Sequence, residues 1–394
     1  MSAGAKLIDS QVNPILIVAG ENSGEKYGAD LIHSYLQVDQ TAHFFGIGGR
    51  QMAKAGAEII YPVEELNIIG IGEAVSKYYR IKKMMFNLAQ EAGRRNARAA
   101  VLIDSPDFNL RLARQLKKQG IPVLYYISPT VWAWRHGRLK AIRRYVNRML
   151  LIFPFEKKIY DAHKIPSVYV GHPLKQRIQV KLSRDDFRQK YNLPTAEPLL
   201  CLLPGSRPAE IRRHLPILVK SIEIIKKRIK ANFILVKADT VEKSLVQSFF
   251  PSGGDVIFVD ETNDKYEAMA SSDLILAACG TANMEACLLG IPFIAFYRVS
   301  PLLYKLGKGL VRTKNYSIVN ILAGKPVVPE LIQNHFTPER VAAEAFGLLT
   351  SSERRNVMFQ EFGRINRLLG KEKAAFRAAQ ELHKLIFEDR QIDR

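Results

Sequence analysis

The chain has 394 residues, 47% hydrophobic and 24% charged, with no long polar tract or low-complexity segment; this excludes a disordered protein and gives enough length for two domains. A formal charge of +20 leaves three phosphate-bearing partner classes: nucleic acid, an anionic bilayer and a phosphorylated metabolite. Three cysteines without a close C-x-x-C pair argue for a reduced cytoplasm and against structural zinc, Met1 to Gln11 shows no secretory pattern, and no run reaches the ~20 apolar residues of a membrane span.

Short apolar runs alternate with helical periods along the whole chain, the β-α-β pattern of buried parallel sheets. The first strand, Ile15 to Ala19, runs into Gly20-Glu21-Asn22-Ser23-Gly24-Glu25, with a helix from about Tyr27. Such a turn either presents amides to an anion or is a tight turn capped by Ser23; it is neither a G-x-G-x-x-G nor a Walker A loop. A second strand spans Phe44 to Ile47. Apolar and basic residues then mix over Leu66 to Gly72 and Tyr78 to Phe86, a pattern that suits a helix with a basic outer side or a patch lying on an anionic membrane.

The strand Ala100 to Asp104 delivers Asp104-Ser105-Pro106-Asp107-Phe108-Asn109, where a carboxylate can act as general base and Asp107 can cap the next helix. The strand Val123 to Ile127 leads into Ser128-Pro129-Thr130-Val131-Trp132-Ala133-Trp134-Arg135, which holds both tryptophans and serves either packing or stacking on a sugar ring or acyl chain. The following helix carries Arg138, Lys140, Arg143, Arg144 and Arg148, with Lys140, Arg144 and Arg148 on one face. Strands at Met149 to Phe153 and Val168 to Val170 close the first half, and a linker lies between Gly171-His172-Pro173 and Pro194.

In the second half, Leu199 to Leu203 ends in Pro204-Gly205-Ser206-Arg207, a turn suited to a diphosphate that an arginine neutralises. Strands follow at Phe233 to Val236, Val256 to Val259, Leu274 to Ala277 and Phe293 to Phe296. After the fourth strand of this half, Gly280 and Thr281 open a helix whose amides would meet a phosphate, and Glu285 one turn on would accept from ribose hydroxyls. Three helical stretches occupy about 337 to 394. The expected architecture is therefore α/β, two doubly wound domains (1–175 and 176–340) with a ligand cleft between them and a nucleotide diphosphate site in the second. A helical segment, 341–394, packs on the first domain or on a partner subunit.

Read in order, A-G-E-N-S-G at 19 to 24, D-S-P-D-F-N at 104 to 109, S-P-T-V-W-A-W-R at 128 to 135, F-P-F-E at 153 to 156, V-G-H-P at 170 to 173, L-P-G-S-R at 203 to 207, G-T-A-N-M-E at 280 to 285 and N-I-L-A-G at 320 to 324 resemble the lipid-A-disaccharide synthase family. The resemblance implies a membrane-associated, inverting GT-B glycosyltransferase. It would move diacylglucosamine from a UDP-linked donor to a lipid monosaccharide phosphate acceptor, at the cytoplasmic face of the inner membrane. It further implies Asp104 as general base with Glu21 beside it, and Ser23, Asn109, Trp132 and Arg135 on the acceptor. Gly205, Ser206, Arg207, Gly280, Thr281, Glu285, Asn320 and Glu330 would contact the donor. No metal and no cofactor are expected. Glu25, where the family usually has aspartate, and Asn22 depart from the pattern, and exchange of the C-terminal segment between subunits of a homodimer is open. Two rivals are a UDP-sugar 2-epimerase, which the tryptophan motif opposes, and a nucleic-acid-binding protein, for which no helix-turn-helix, RRM or zinc signature exists; no nucleic-acid partner is expected.

Overall fold

The computed structural model describes residues 13–67, 74–132, 135–250, 256–301, 304–305, 315–371 and 373–387, with the side chains of 22, 23, 67 and 74–78 excepted. Two compact units divide the chain: Met1–Pro173 with Lys371–Arg394, and Leu174–Gly370. The first holds β1 (Asn13–Ala19), β2 (Ala42–Gly48), β3 (Glu58–Pro62), β4 (Ala99–Ile103), β5 (Val123–Tyr126), β6 (Arg148–Leu151) and β7 (Ser167–Tyr169). The second holds β8 (Leu199–Leu203), β9 (Asn232–Lys237), β10 (Val256–Asp260), β11 (Leu274–Ala278), β12 (Phe293–Tyr297) and β13 (Glu330–Ile332).

Both sheets are wholly parallel, in the orders β3-β2-β1-β4-β5-β6-β7 and β10-β9-β8-β11-β12-β13. A strand covered by helices on both faces is apolar at every position, and β4 and β8 are buried from end to end. All eleven expected strands are present. The two that the pattern does not reveal, β3 and β13, are sheet edges: one reads E-I-I-Y-P and is nowhere fully buried, the other has only three residues. The strand order reverses between β1 and β4 in one unit and between β8 and β11 in the other. In open α/β sheets the ligand crevice lies outside the carboxyl ends of the strands at such a reversal.

The expected C-terminal helices divide between the units. Pro338–Thr350 and Ser352–Leu368 belong to the second, where Phe362 stacks on Phe293 of β12 at 5.7 Å. Only Ala374–Phe387 packs on the first, through Tyr35 and His383 at 6.3 Å and an Arg148–Glu381 ion pair at 2.7 Å. That pair corrects the expected basic helix face. The helix Arg138–Tyr145 stops at Tyr145 because Val146 turns extended and Asn147 bonds Val123 through both its backbone and its side chain; Arg148 therefore begins β6.

Helix Ala74–Arg94 turns Met84, Met85, Leu88, Ala89 and Ala92 into the core. Its outer side carries Lys82 and Lys83 with Tyr79, 65% exposed, and Phe86, 41% exposed. Residues 68–73 of the expected patch lie outside the described residues. Among the described residues no helix is long and apolar enough to cross a membrane.

Candidate active site

At the reversal of the first sheet, Asp104 and Ser105 both adopt left-handed backbone, φ 51° and 42°. Two adjacent non-glycine residues in that region cost about 1–3 kcal/mol each and persist only where their surroundings over-determine them. Here the surroundings are explicit. The Tyr125 hydroxyl donates to the Asp104 carbonyl at 2.5 Å, and the Asn109 amide donates to the same carbonyl at 2.7 Å and to that of Ile103 at 3.1 Å. Gly20, at the end of β1, is required by closeness: a Cβ there would lie 1.9 Å from that of Ser105. The ends of β1 and β4 thus meet with the Asp104 side chain half-buried and Glu21 next to the turn.

This geometry changes two expectations. Asn109, expected on the acceptor, is fully buried, and its amide ties the main-chain carbonyls of Ile103 and Asp104 at the turn. Glu25 accepts from the Gln51 and Met52 amides, capping the short helix Arg50–Lys54, so the longer side chain serves a scaffold contact. The Ser23 side chain lies outside the described residues. Asp107, expected as a cap, sits inside the helix Pro106–Lys118 and accepts from Arg135 and Arg138, both at 2.8 Å.

The loop after β5 is also strained, because Ile127, a β-branched residue, has φ 69°. Its ties are buried. Ser128 bonds Tyr160 at 2.6 Å, and half-buried Trp132 donates its indole N–H to Glu156 Oε1 at 3.3 Å, while the other oxygen accepts from the Phe153 amide at 3.2 Å. Glu156 is 1% exposed, and burial pushes its carboxyl up to about 7, against hydrogen bonds that favour the charged form. The folded state therefore holds a proton that the unfolded chain has released above about 4.5, so this contribution to stability is present at low pH and lost as pH rises through 7. Between pH 5 and 8 the wild type should lose roughly 2–3 kcal/mol more than Glu156→Gln. Urea melts of both proteins at the two pH values check this, and parallel losses would refute it. Trp134 lies outside the described residues.

At the reversal of the second sheet, the Gly205 turn has φ 126° and a Cβ there would strike Glu210 Oε2 at 2.5 Å. That oxygen accepts from the Ser206 and Arg207 amides at 3.0 and 3.3 Å, and Tyr297 donates to the other at 3.0 Å. The turn is pre-ordered by a carboxylate that takes up its amides and also pairs with the guanidinium of Arg207 at 3.4 Å, and that exposed side chain is the cationic group of the turn. His214, fully buried, links the ends of two strands: its Nε2 accepts from the Arg298 amide at 3.1 Å, so its Nδ1 donates to the Pro204 carbonyl at 2.7 Å. Burial holds it below the usual imidazole range. Across the reversal, Gly280 and Thr281 are exposed at the start of helix Thr281–Leu289, where first-turn amides lack intrahelical partners.

Three expected donor contacts are engaged within the protein, two of them, Glu285 and Asn320, buried. Glu285 is 3% exposed between the Lys265 ammonium at 2.8 Å and the Tyr266 hydroxyl at 3.1 Å. Asn320 spends its whole amide internally, donating to Val328 and Glu330 and accepting from the Val327 and Val328 amides. Glu330 accepts from the Tyr316 and Ser317 amides ahead of helix Ile318–Ala323. Glu156, Glu210, His214 and Lys265 are the residues that sequence reasoning left without a role; F-P-F-E carried the only signal for the first.

A sequence profile described as lipid-A-disaccharide synthetase matches residues 15–383. The chain belongs to the lipid-A-disaccharide synthetase family. Lipid-A-disaccharide synthases of Koribacter versatilis and Geobacter sulfurreducens are 39% identical over 374 residues (93% of this chain, 97% of the relative) and 40% identical over 332 (84% and 86%). Among solved structures, MurG of Acinetobacter baumannii is similar at TM-score 0.54 and 15% identity, covering 95% of this chain and 99% of that one. A UDP-GlcNAc 2-epimerase of Neisseria meningitidis bound to UDP-GlcNAc is similar at TM-score 0.63 and 12% identity, covering 95% and 100%. At those identities the likeness carries the GT-B fold alone, and the family match sets the epimerase reading aside. This member of the lipid-A-disaccharide synthetase family is an enzyme, a glycosyltransferase.

Proposed function

We propose that the chain transfers 2,3-diacylglucosamine from its UDP-linked form to 2,3-diacylglucosamine 1-phosphate, forming the β-1,6-linked disaccharide 1-phosphate and releasing UDP. The observation that carries this reading is the division of chemistry between the two strand reversals. One offers a carboxylate on a strained turn, the other an exposed guanidinium beside an exposed helix start. Asp104 takes the proton of the acceptor hydroxyl as its oxygen bonds to the anomeric carbon; the bond from that carbon to the diphosphate breaks, and a single in-line displacement inverts the centre. Arg207 and the Gly280–Thr281 amides receive the charge that develops on the diphosphate, as preorganised dipoles and cations do in a water-poor site. The first unit is read as the acceptor domain, with Glu21, Ser23, Trp132 and Arg135 lining it, and the second as the donor domain.

The lipid substrates bring the enzyme to a bilayer. Tyr79 and Phe86, seven residues apart on one helix and flanked by Lys82 and Lys83, suit an anionic surface, and the net charge of +20 adds to it. The cytoplasmic face of the inner membrane is the corresponding location. The test is turnover with both lipid substrates in mixed micelles, with and without EDTA, alongside sedimentation with anionic vesicles. We expect UDP and disaccharide in equal amounts, unchanged by EDTA, and vesicle binding that weakens with salt. Measurable UDP binding without product from this acceptor would overturn the reading.

A further inference from the structure

Outside the groups already given a role, one buried carboxyl among the described residues, Glu156, touches the loop after β5 directly. Glu156 opens helix Glu156–Ala162 just after β6, and its two oxygens hold different segments: the Trp132 indole of the loop after β5 and the Phe153 backbone amide of the loop after β6. Among the described residues its hydrogen-bond partners include Phe153, Ser128, Trp132 and Ile152, none of them a cation. A side chain 1% exposed is costly to bury without a cation, and a core that needed only packing would place an apolar residue there. The rest of the surroundings is aromatic: Phe155 meets Trp132 edge-on at 5.4 Å and stacks on Phe153 at 5.8 Å, and Phe153 in turn meets His172 at 5.1 Å. These rings pack against the indole, and its N–H is directed to Glu156. The same loop is strained at Ile127 and again at Arg135, φ 54°, so its conformation depends on ties of this kind.

We propose that Glu156 is a positioning residue for acceptor binding: it orients the Trp132 indole, through the indole N–H, against the sugar or acyl part of the lipid acceptor. The proposal rests on the reading that Trp132 lies on the acceptor side. It requires both oxygens of Glu156 to accept, as the ionised carboxyl does, so the comparison is made at pH 8, above the value near 7 at which this group titrates; a glutamine offers only one acceptor and turns an N–H₂ group toward the other donor. The Trp132 ring itself remains in Glu156→Gln, so what is lost is its orientation.

The experiment is steady-state kinetics with each substrate varied in turn, on Trp132→Ala, Trp132→Phe, Glu156→Gln and the double variant Trp132→Phe/Glu156→Gln. Trp132→Phe deletes the indole N–H while leaving the buried carboxyl in place, so it remains informative should Glu156→Gln fold poorly. Glu156→Gln and Trp132→Phe are each expected to raise KM for the acceptor about tenfold, the worth of one lost hydrogen bond, with KM for the UDP-sugar unchanged. The double variant should be no worse than the poorer single one, because both remove the same contact. Additive effects, or a Glu156→Gln variant that melts earlier with acceptor KM unaltered, would overturn the positioning role. If Trp132→Ala itself leaves acceptor KM unaltered, the underlying placement of Trp132 falls instead.

Discussion

Asp104→Asn should reduce kcat by about 10²- to 10⁴-fold, the usual worth of a positioned general base, while UDP binds as it does to the wild type. Asparagine is the informative replacement. At φ 51° it is among the few residues that tolerate the left-handed region, whereas alanine would add backbone strain to the loss of the carboxylate. The contacts that hold the turn, from Tyr125 and Asn109, go to the Asp104 carbonyl and not to its side chain, so they survive the change. The proposed donor contacts, Arg207, Gly280 and Thr281, belong to the other compact unit, which is why affinity for UDP is expected to stay. Single-turnover UDP release and calorimetric titration with UDP read the two quantities separately. Turnover within a few-fold of wild type would remove Asp104 from the chemistry and leave Glu21 as the carboxylate to examine.

How far the sequence predicts the molecule depends on what kind of information each feature needs. Buried parallel strands are continuous apolar runs, so L-L-C-L-L of β8 can be read directly, while E-I-I-Y-P of β3, exposed at both ends, looks like loop. The reversal points are legible too, because a parallel sheet hands the residues at its strand ends to one edge, and polar residues gather there for chemistry. Which of those polar side chains faces a ligand is not legible. Asn109 and Asn283 show why: each follows the fourth strand of its unit, each is fully buried, and each donates back to the last carbonyls of that strand. A polar residue after a strand ties the loop as readily as it binds a substrate, and local sequence does not separate the two uses. Glu156 is hidden for a different reason, since its partner Trp132 is 24 residues away and its importance comes from burial.

Asn320 is the sharpest case of that ambiguity, and Asn320→Ala decides it. A residue that contacted the donor would, on truncation, weaken UDP binding and leave the melting temperature alone. The geometry demands the opposite. Asn320 is 1% exposed and uses both N–H groups and both lone pairs of its amide within 2.7–2.9 Å. Removing it strands the Val327 and Val328 amides and the Val328 carbonyl, while Glu330 keeps its bonds from Tyr316 and Ser317. At about 1–3 kcal/mol for a buried polar group left unsatisfied, with partial relaxation, the second unit should lose about 2–4 kcal/mol. Asn320→Asp should be worse at neutral pH, because a carboxylate cannot donate to Glu330 and would face it at hydrogen-bond distance with like charge. Denaturant melts of both variants, with UDP affinity measured well below the transition, separate the two roles. A normal melt with lost UDP affinity would return Asn320 to the donor site.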